Sequence, residues 1–232
     1  MAPTVSEALR VGRVIQACYD PLFLQSPETY AFADIKPDAI VYGTDPDQSR
    51  PYGVVYTDWQ LGIVCALRGT QTVSEWMVDA EAPLVSVHWL PGTRAHEGFL
   101  NVAKTLDAGE IPLASYIANR SRTVLLAGHS LGAALASLVA VQLGAADLLT
   151  FGSPRVGDDD FVKGGASRLA SDTRYVTDKD LVPTVPLRLD PFFPYAHLCQ
   201  ASVLHVDAAT PDNPEGWHQI PTYLRLLQAT QA

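Results

Sequence analysis

The residues Gly128-His129-Ser130-Leu131-Gly132 place a Gly-x-Ser-x-Gly pattern where two kinds of apolar segment meet. Upstream, Thr123 to Ala127 reads as a short buried strand; downstream, Leu131 to Leu143 reads as a long Ala/Leu helix. A serine at so sharp a strand-to-helix turn takes a strained backbone conformation, and glycines two positions either side let neighbouring chain pass closely. The strain holds the hydroxyl out where a substrate can reach it. The same turn leaves the first amides of the helix without intrahelical partners, so the Leu131 amide can face an oxyanion forming beside Ser130. The chemistry this predicts is nucleophilic attack by a serine. The competing reading is a serine that merely caps a helix between chance glycines.

A serine hydroxyl is a poor nucleophile unless a base takes its proton, and the base needs a carboxylate to fix its tautomer. In α/β-hydrolase order the acid follows the serine and the histidine comes last, which leaves His197, His205 and His218. His218 is preferred, because it follows the loop Thr210 to Trp217 and opens the last helix, a place from which an imidazole can lean over the sheet edge. His205 sits in the apolar run Ala201 to Val206 and His197 in the strand-like Tyr195-Ala-His-Leu198; both read as satisfied structural residues. For the acid, Asp178 and Asp180 both follow the strand Arg174 to Thr177, at the carboxyl end where catalytic groups of parallel sheets collect. Asp180 is the first choice and Asp178 the second. Asp158, Asp159 and Asp160 read as the solvated start of a helix.

The elements that must position these groups are legible in outline. Thr4 and Glu7 have capping-box spacing, and Val5, Leu9, Val14, Ile15 and Cys18 mark one face of a helix running to about Tyr19. Ala39 to Thr44, Tyr52 to Thr57 and Leu61 to Leu67 read as strands, the last two as a hairpin around Asp58-Trp59-Gln60. His96 to Ala118 holds two helical stretches broken near Gly109 and Pro112, Leu148 to Phe151 another buried strand, and Pro214 to Gln228 a closing amphipathic helix. Strands alternating with helices predict an α/β fold with a central, mostly parallel sheet flanked by helices. At 232 residues, without repeats or linkers, the chain reads as one domain spanning 1–232, with no separate cap domain.

Charge excludes one class of function. Twenty-five acidic against sixteen basic residues give a net charge of −9 and no cluster of Lys or Arg, so no nucleic-acid partner is expected. No apolar run approaches the ~18 residues of a membrane span, and the start lacks a basic segment followed by an apolar stretch; the compartment is left open between secretion and cytoplasm, as is the oligomeric state. Cys18, Cys65 and Cys199 are too few and too scattered for a disulfide framework or zinc site and read as buried thiols.

From about Tyr52 onward the sequence resembles the class 3 lipases, the fungal triacylglycerol lipase group with bacterial and plant relatives. The resemblance rests on Leu67-Arg-Gly-Thr70, Trp76, Asp79, His96-Glu-Gly-Phe99, Gly128-His-Ser-Leu-Gly-Ala133, Thr150-Phe-Gly-Ser-Pro-Arg-Val-Gly157, Asp180-Leu-Val-Pro183 and His218 near Tyr223. It implies the α/β-hydrolase fold, Ser130 as nucleophile with Asp180 and His218 as partners, and Thr70 as second oxyanion donor beside Leu131. It favours Asp180 over Asp178, because the family's acid directly precedes the apolar-Val-Pro step. The scattered cysteines depart from the disulfide set of fungal members. The family's short lid helix corresponds to residues 71–78, where Val73, Trp76 and Met77 share one helical face. A lid of that kind opens more readily against a lipid surface, which accepts its apolar side. The cluster Leu187 to Tyr195 offers Phe192 and Phe193 either to the mouth of an acyl groove or to plain core packing.

The expected function is a serine ester hydrolase cleaving acylglycerols, needing no metal or organic cofactor. Its partners would be a small ester or a lipid droplet met transiently at its surface. A short-chain or aryl-ester (feruloyl-type) esterase is the alternative within enzymes. A non-catalytic binding module on the same fold is the alternative outside them.

Overall fold

The computed structural model describes residues 2–44, 48–70 and 82–231. The expected lid residues Val73, Trp76 and Met77 lie outside the described residues.

The sheet is built from apolar, glycine-punctuated runs that are buried almost throughout at its centre and only partly towards its edges. Strands β1 (Pro37–Thr44), β2 (Ser49–Asp58) and β3 (Gly62–Leu67) run antiparallel to one another as a meander, β2 and β3 pairing Gly53 with Leu67 through to Asp58 with Gly62. From β3 the direction is constant: β8 (Val124–His129), β9 (Asp147–Phe151), β10 (Ser171–Thr177) and β11 (Ala201–Leu204) add in parallel. Two short strands, β6 (Asp107–Ala108) and β7 (Ile111–Pro112), extend the far edge, giving the order β11-β10-β9-β8-β3-β2-β1-β6-β7. A separate ribbon pairs β4 (Leu84–Ser86) with β5 (Arg94–His96).

Helices cover both faces, as a sheet buried on two sides requires. On one face lie α3 (Glu97–Thr105), α4 (Leu113–Ala118) and α5 (Leu131–Leu143), packed into a cluster with Val55, Cys65, Leu126 and Leu148. In α5 every residue from Leu131 to Val141 is buried, so its all-round apolar sequence is that of a helix enclosed by the core. On the other face α1 (Val5–Ala17) packs on the last helix, α8 (Ile220–Ala229), through Ala8, Ile15, Tyr223 and Leu227. Short helices α2 (Pro21–Gln25), α6 (Asp159–Ala166) and α7 (Pro214–His218) complete the α-helices of the described residues.

Three expectations change. The closing helix is two helices: Gln219, with φ −58° and ψ 138°, is extended, and Pro221 in the first turn of α8 lacks the amide that would continue α7. His218 therefore ends α7 instead of opening the last helix. Asp158 is not solvated; it is buried, caps α6 through the Phe161 amide at 2.8 Å and pairs with Arg94 at 3.0 Å. Phe192 and Phe193 do not pack in the core, being 78% and 45% exposed beside a Leu189–Phe193 bridge. The cysteines behave as expected: all three are free thiols, Cys18 and Cys65 buried and Cys199 partly so.

The capping box at the start of α1 is complete. Thr4 Oγ1 accepts from the Glu7 amide at 3.3 Å while Glu7 accepts from the Thr4 amide at 2.7 Å. Thr4→Ala removes one half of it and is expected to cost about 0.5–2 kcal/mol, read as a shifted urea midpoint with unchanged slope.

Candidate active site

Ser130 stands between β8 and α5 with φ 60° and ψ −130°, a conformation an L-residue adopts only when its surroundings impose it. The glycines explain how. A Cβ at Gly128 would lie 2.2 Å from the Gly132 carbonyl oxygen, and one at Gly132 would lie 2.4 Å from the Arg68 carbonyl oxygen. Strand end, turn and helix start therefore pass closer than any side chain allows. The Ser130 amide donates to the Phe151 carbonyl at 3.0 Å, tying the turn to β9. Although it occupies the cap position of α5, the Ser130 side chain makes no capping bond, so the reading of a mere helix cap does not describe it.

The turn that follows β3 brings Thr70 to the same place. A Cβ on Gly69 would sit 2.7 Å from the Ser130 Cβ, so this turn runs directly against the serine. The buried Arg68 guanidinium holds the turn's shape, donating to the carbonyls of Pro51 at 2.9 Å and Gly69 at 2.6 Å.

The candidate acid Asp180 lies in the loop after β10 and the candidate base His218 at the end of α7. Asp180 and His218 are both buried, with His218 Nδ1 2.7 Å from Asp180 Oδ2. A carboxylate can only accept, so Nδ1 carries a proton, and in the neutral ring Nε2 is the nitrogen that keeps its lone pair. Two further donors satisfy Asp180: the Tyr223 hydroxyl at 2.5 Å on Oδ2 and the Val182 amide at 2.9 Å on Oδ1. Burial, reinforced by the Asp180 charge, pushes the Tyr223 phenol well above its usual value and keeps it a donor. Tyr223, which the sequence marks only as lying near His218, donates its hydroxyl to Asp180.

The rival candidates separate cleanly. Asp178 pairs with His205 at 2.9 Å on the surface, where the imidazole is exposed. His197 lies in coil, not a strand, and its Nε2 donates to the Pro183 carbonyl at 2.8 Å. Burial is the main reason its imidazole is held down to about 3. His129 is fully enclosed and likewise held well below the ordinary imidazole value, first by burial and then by His218 nearby.

Among the described residues, two buried side-chain polar atoms have no hydrogen-bond partner: Thr70 Oγ1 and His218 Nε2. Leaving such an atom unsatisfied costs about 1–3 kcal/mol, so two orphans at one place mark a site awaiting a ligand. Thr70 and His218 line one cleft of about 630 Å³, whose walls include Tyr19, Asp20, Tyr30 and Gln219. No group of three or more His, Cys, Asp or Glu that could hold a metal ion occurs among the described residues. Nor is any described helix long and apolar enough to cross a membrane.

Known proteins resemble the chain in the same region. The family described as Lipase (class 3) matches residues 64–189. The secreted mono- and diacylglycerol lipase 1 of Fusarium solani is 31% identical over 130 residues, covering 53% of this chain and 39% of that protein. Phospholipase A1-II 3 of Oryza sativa subsp. indica is 28% identical over 223 residues, covering 77% of this chain and 51% of that protein. The chain thus spans about half or less of the length of these curated relatives. The solved propeptide complex of Rhizomucor miehei lipase superposes with a TM-score of 0.69 at 24% identity, covering 88% of this chain and 70% of that one. The fold is the α/β-hydrolase fold.

Two neutral histidines, buried His129 and half-buried His197, give a pH dependence of stability. Both are depressed below 6.5 in the folded protein, so as pH falls through 6.5 the unfolded chain takes up protons that the folded one does not. Stability therefore declines with falling pH from that point. His197→Gln should make the fall in melting temperature between pH 6.5 and 5.5 measurably shallower.

Proposed function

We propose that this chain, which belongs to the class 3 lipase family, is a serine carboxylic-ester hydrolase acting on acylglycerols, with Ser130 as nucleophile, His218 as base and Asp180 as the carboxylate that orients it. The observation that carries the reading is the pair of orphaned atoms: the His218 nitrogen left without a donor and the Thr70 hydroxyl free to donate, on segments whose Gly69 packs against the strained Ser130 and whose His218 carbonyl meets the serine's neighbour His129. In water-excluded surroundings such unmet groups are preorganised for charge that exists only during reaction. The names of the relatives, a mono- and diacylglycerol lipase and a phospholipase A1, support esters of glycerol as the substrate class.

In this reading His218 Nε2 takes the Ser130 proton as Oγ attacks the ester carbonyl carbon. The negative charge that moves to the carbonyl oxygen is met by the Leu131 amide at the start of α5 and by Thr70. Asp180 stabilises the imidazolium that results. Collapse expels the alcohol, which takes its proton from His218 and leaves an acyl-serine. A water activated by the same nitrogen then releases the fatty acid and restores Ser130.

Ser130→Ala should fold normally and lose turnover of a soluble p-nitrophenyl ester by on the order of 10⁶. Near wild-type hydrolysis would remove the serine from the mechanism and favour the non-catalytic reading. Thr70→Val, almost the same shape, should lower kcat by about 10²–10³ with little change in KM, because the hydroxyl matters once the oxyanion has formed. An unchanged kcat would confine Thr70 to its backbone amide. Relative rates on diacylglycerol and on short-chain or feruloyl esters separate the lipase from the esterase.

A further inference from the structure

We infer that Tyr19 and His129 are positioning residues which form one buried hydrogen-bonded relay, fixing the oxyanion turn and the base at a set spacing. The inference rests on the proposed roles of Thr70, Ser130 and His218.

The relay has three links. The Gly69 amide lies 2.6 Å from the Tyr19 hydroxyl oxygen, that hydroxyl lies 2.7 Å from His129 Nδ1, and His129 Nε2 lies 2.7 Å from the main-chain carbonyl of His218. Donor and acceptor chemistry fixes the direction of every link. An amide only donates, so the Tyr19 oxygen accepts from Gly69 and its single proton goes to His129 Nδ1. A carbonyl only accepts, so His129 Nε2 must carry the ring proton. The neutral Nε2–H tautomer is thus the form that satisfies all three bonds; a proton on Nδ1 would leave the Tyr19 hydroxyl hydrogen without an acceptor. The depressed basicity of the enclosed His129 ring agrees with a neutral imidazole.

What the relay touches argues that it serves the chemistry as well as the fold. Gly69 immediately precedes Thr70, His129 immediately precedes Ser130, and the last link ends on the base itself. Three chain segments that reach the cleft independently, after β3, after β8 and at the end of α7, are registered against one another through the residue two places past α1. Ring packing reinforces the bonds: Tyr19 meets His129 edge-on at 5.6 Å, and His129 lies against His218 at 4.6 Å. None of the relay's own polar atoms is orphaned, whereas Thr70 Oγ1 and His218 Nε2, each one step further along, are. The satisfied network holds the unsatisfied pair. A displacement of about 1 Å between reacting groups can cost roughly 10² in rate, so losing a link should appear in kcat.

The test uses the full chain and a soluble monomeric ester, with every variant assayed well below its own melting temperature. Tyr19→Phe keeps the ring and removes two links; kcat is expected to fall about 10- to 100-fold with KM within about twofold. His129→Phe should fall similarly, whereas His129→Gln, whose amide can still donate towards the His218 carbonyl, should recover part of the loss. If the links act as one unit, the Tyr19→Phe/His129→Phe double variant will be no slower than the slower single variant, not slower by the product of the two losses. Nitrogen-15 NMR of the resting wild-type protein at neutral pH should show His129 as the Nε2–H tautomer, a readout independent of turnover. A folded Tyr19→Phe enzyme with wild-type kcat, or a ring protonated at Nδ1, overturns the relay. The outcome for Ser130→Ala keeps the two readings apart: loss of turnover there with wild-type kcat in Tyr19→Phe removes the relay alone, whereas turnover surviving in Ser130→Ala removes the triad and the relay's catalytic purpose with it.

Discussion

The rest of the site depends on a carboxylate buried beneath an imidazole. Enclosing Asp180 removes it from water, which would be prohibitive for an unpaired charge. Three donors make it tolerable: the His218 ring, the Tyr223 hydroxyl and the Val182 amide. Each comes from a different place, the end of α7, the first turn of α8 and the loop after β10. The carboxylate can therefore sit as it does only when these segments are docked, and once docked it leaves His218 one tautomer. Fold and chemistry meet in that requirement, because satisfying the buried charge is what exposes a lone pair at Nε2.

The parts of the molecule that were legible in the sequence are those decided locally. β8, the serine turn and α5 declare themselves within twenty residues, because a buried strand, two obligatory glycines and an all-apolar helix each leave a short-range signature. Asp178 and Asp180 were not separable on residue pattern alone, since both follow the same strand. What separates them is which histidine each meets, exposed His205 or buried His218, and that is settled across sequence separations of 27 and 38 residues. The break at Gln219 was missed because apolar periodicity runs through it; the backbone turns there even though the amphipathic pattern continues. Tyr19 carried no signal beyond closing a helical stripe, and its partner His129 lies 110 residues away.

Strain and orphaned atoms accumulate at one location, and the surrounding structure explains how they persist. Ser130 holds a positive φ while Thr70 Oγ1 and His218 Nε2 lack partners, each a cost that a less rigid frame would relax away. The frame is rigid because α5 is enclosed on every side and the backbone passes Gly128 and Gly132 so closely that a Cβ on either would lie 2.2–2.4 Å from a carbonyl oxygen. Stability is given up at the candidate site, against the background of the two apolar layers on either face of the sheet.

The region matched by the family, residues 64–189, contains Ser130, Thr70 and Asp180 but neither His218 nor Tyr19. The proposed nucleophile and oxyanion donors are thus encoded in the middle of the chain, while the proposed base arrives from one terminal segment and Tyr19 from the other. Both terminal segments dock on the same face of the sheet, where α1 and α8 pack against each other through Ile15, Tyr223 and their neighbours. That packing is the reason a helix formed by residues 5–17 can bear on an active site whose defining motif begins more than a hundred residues later. It delivers the Tyr19 hydroxyl to the Gly69 amide and the Tyr223 hydroxyl to Asp180 from a single apolar layer. An apolar interface between the two ends of the chain is therefore a condition for the polar geometry at its centre.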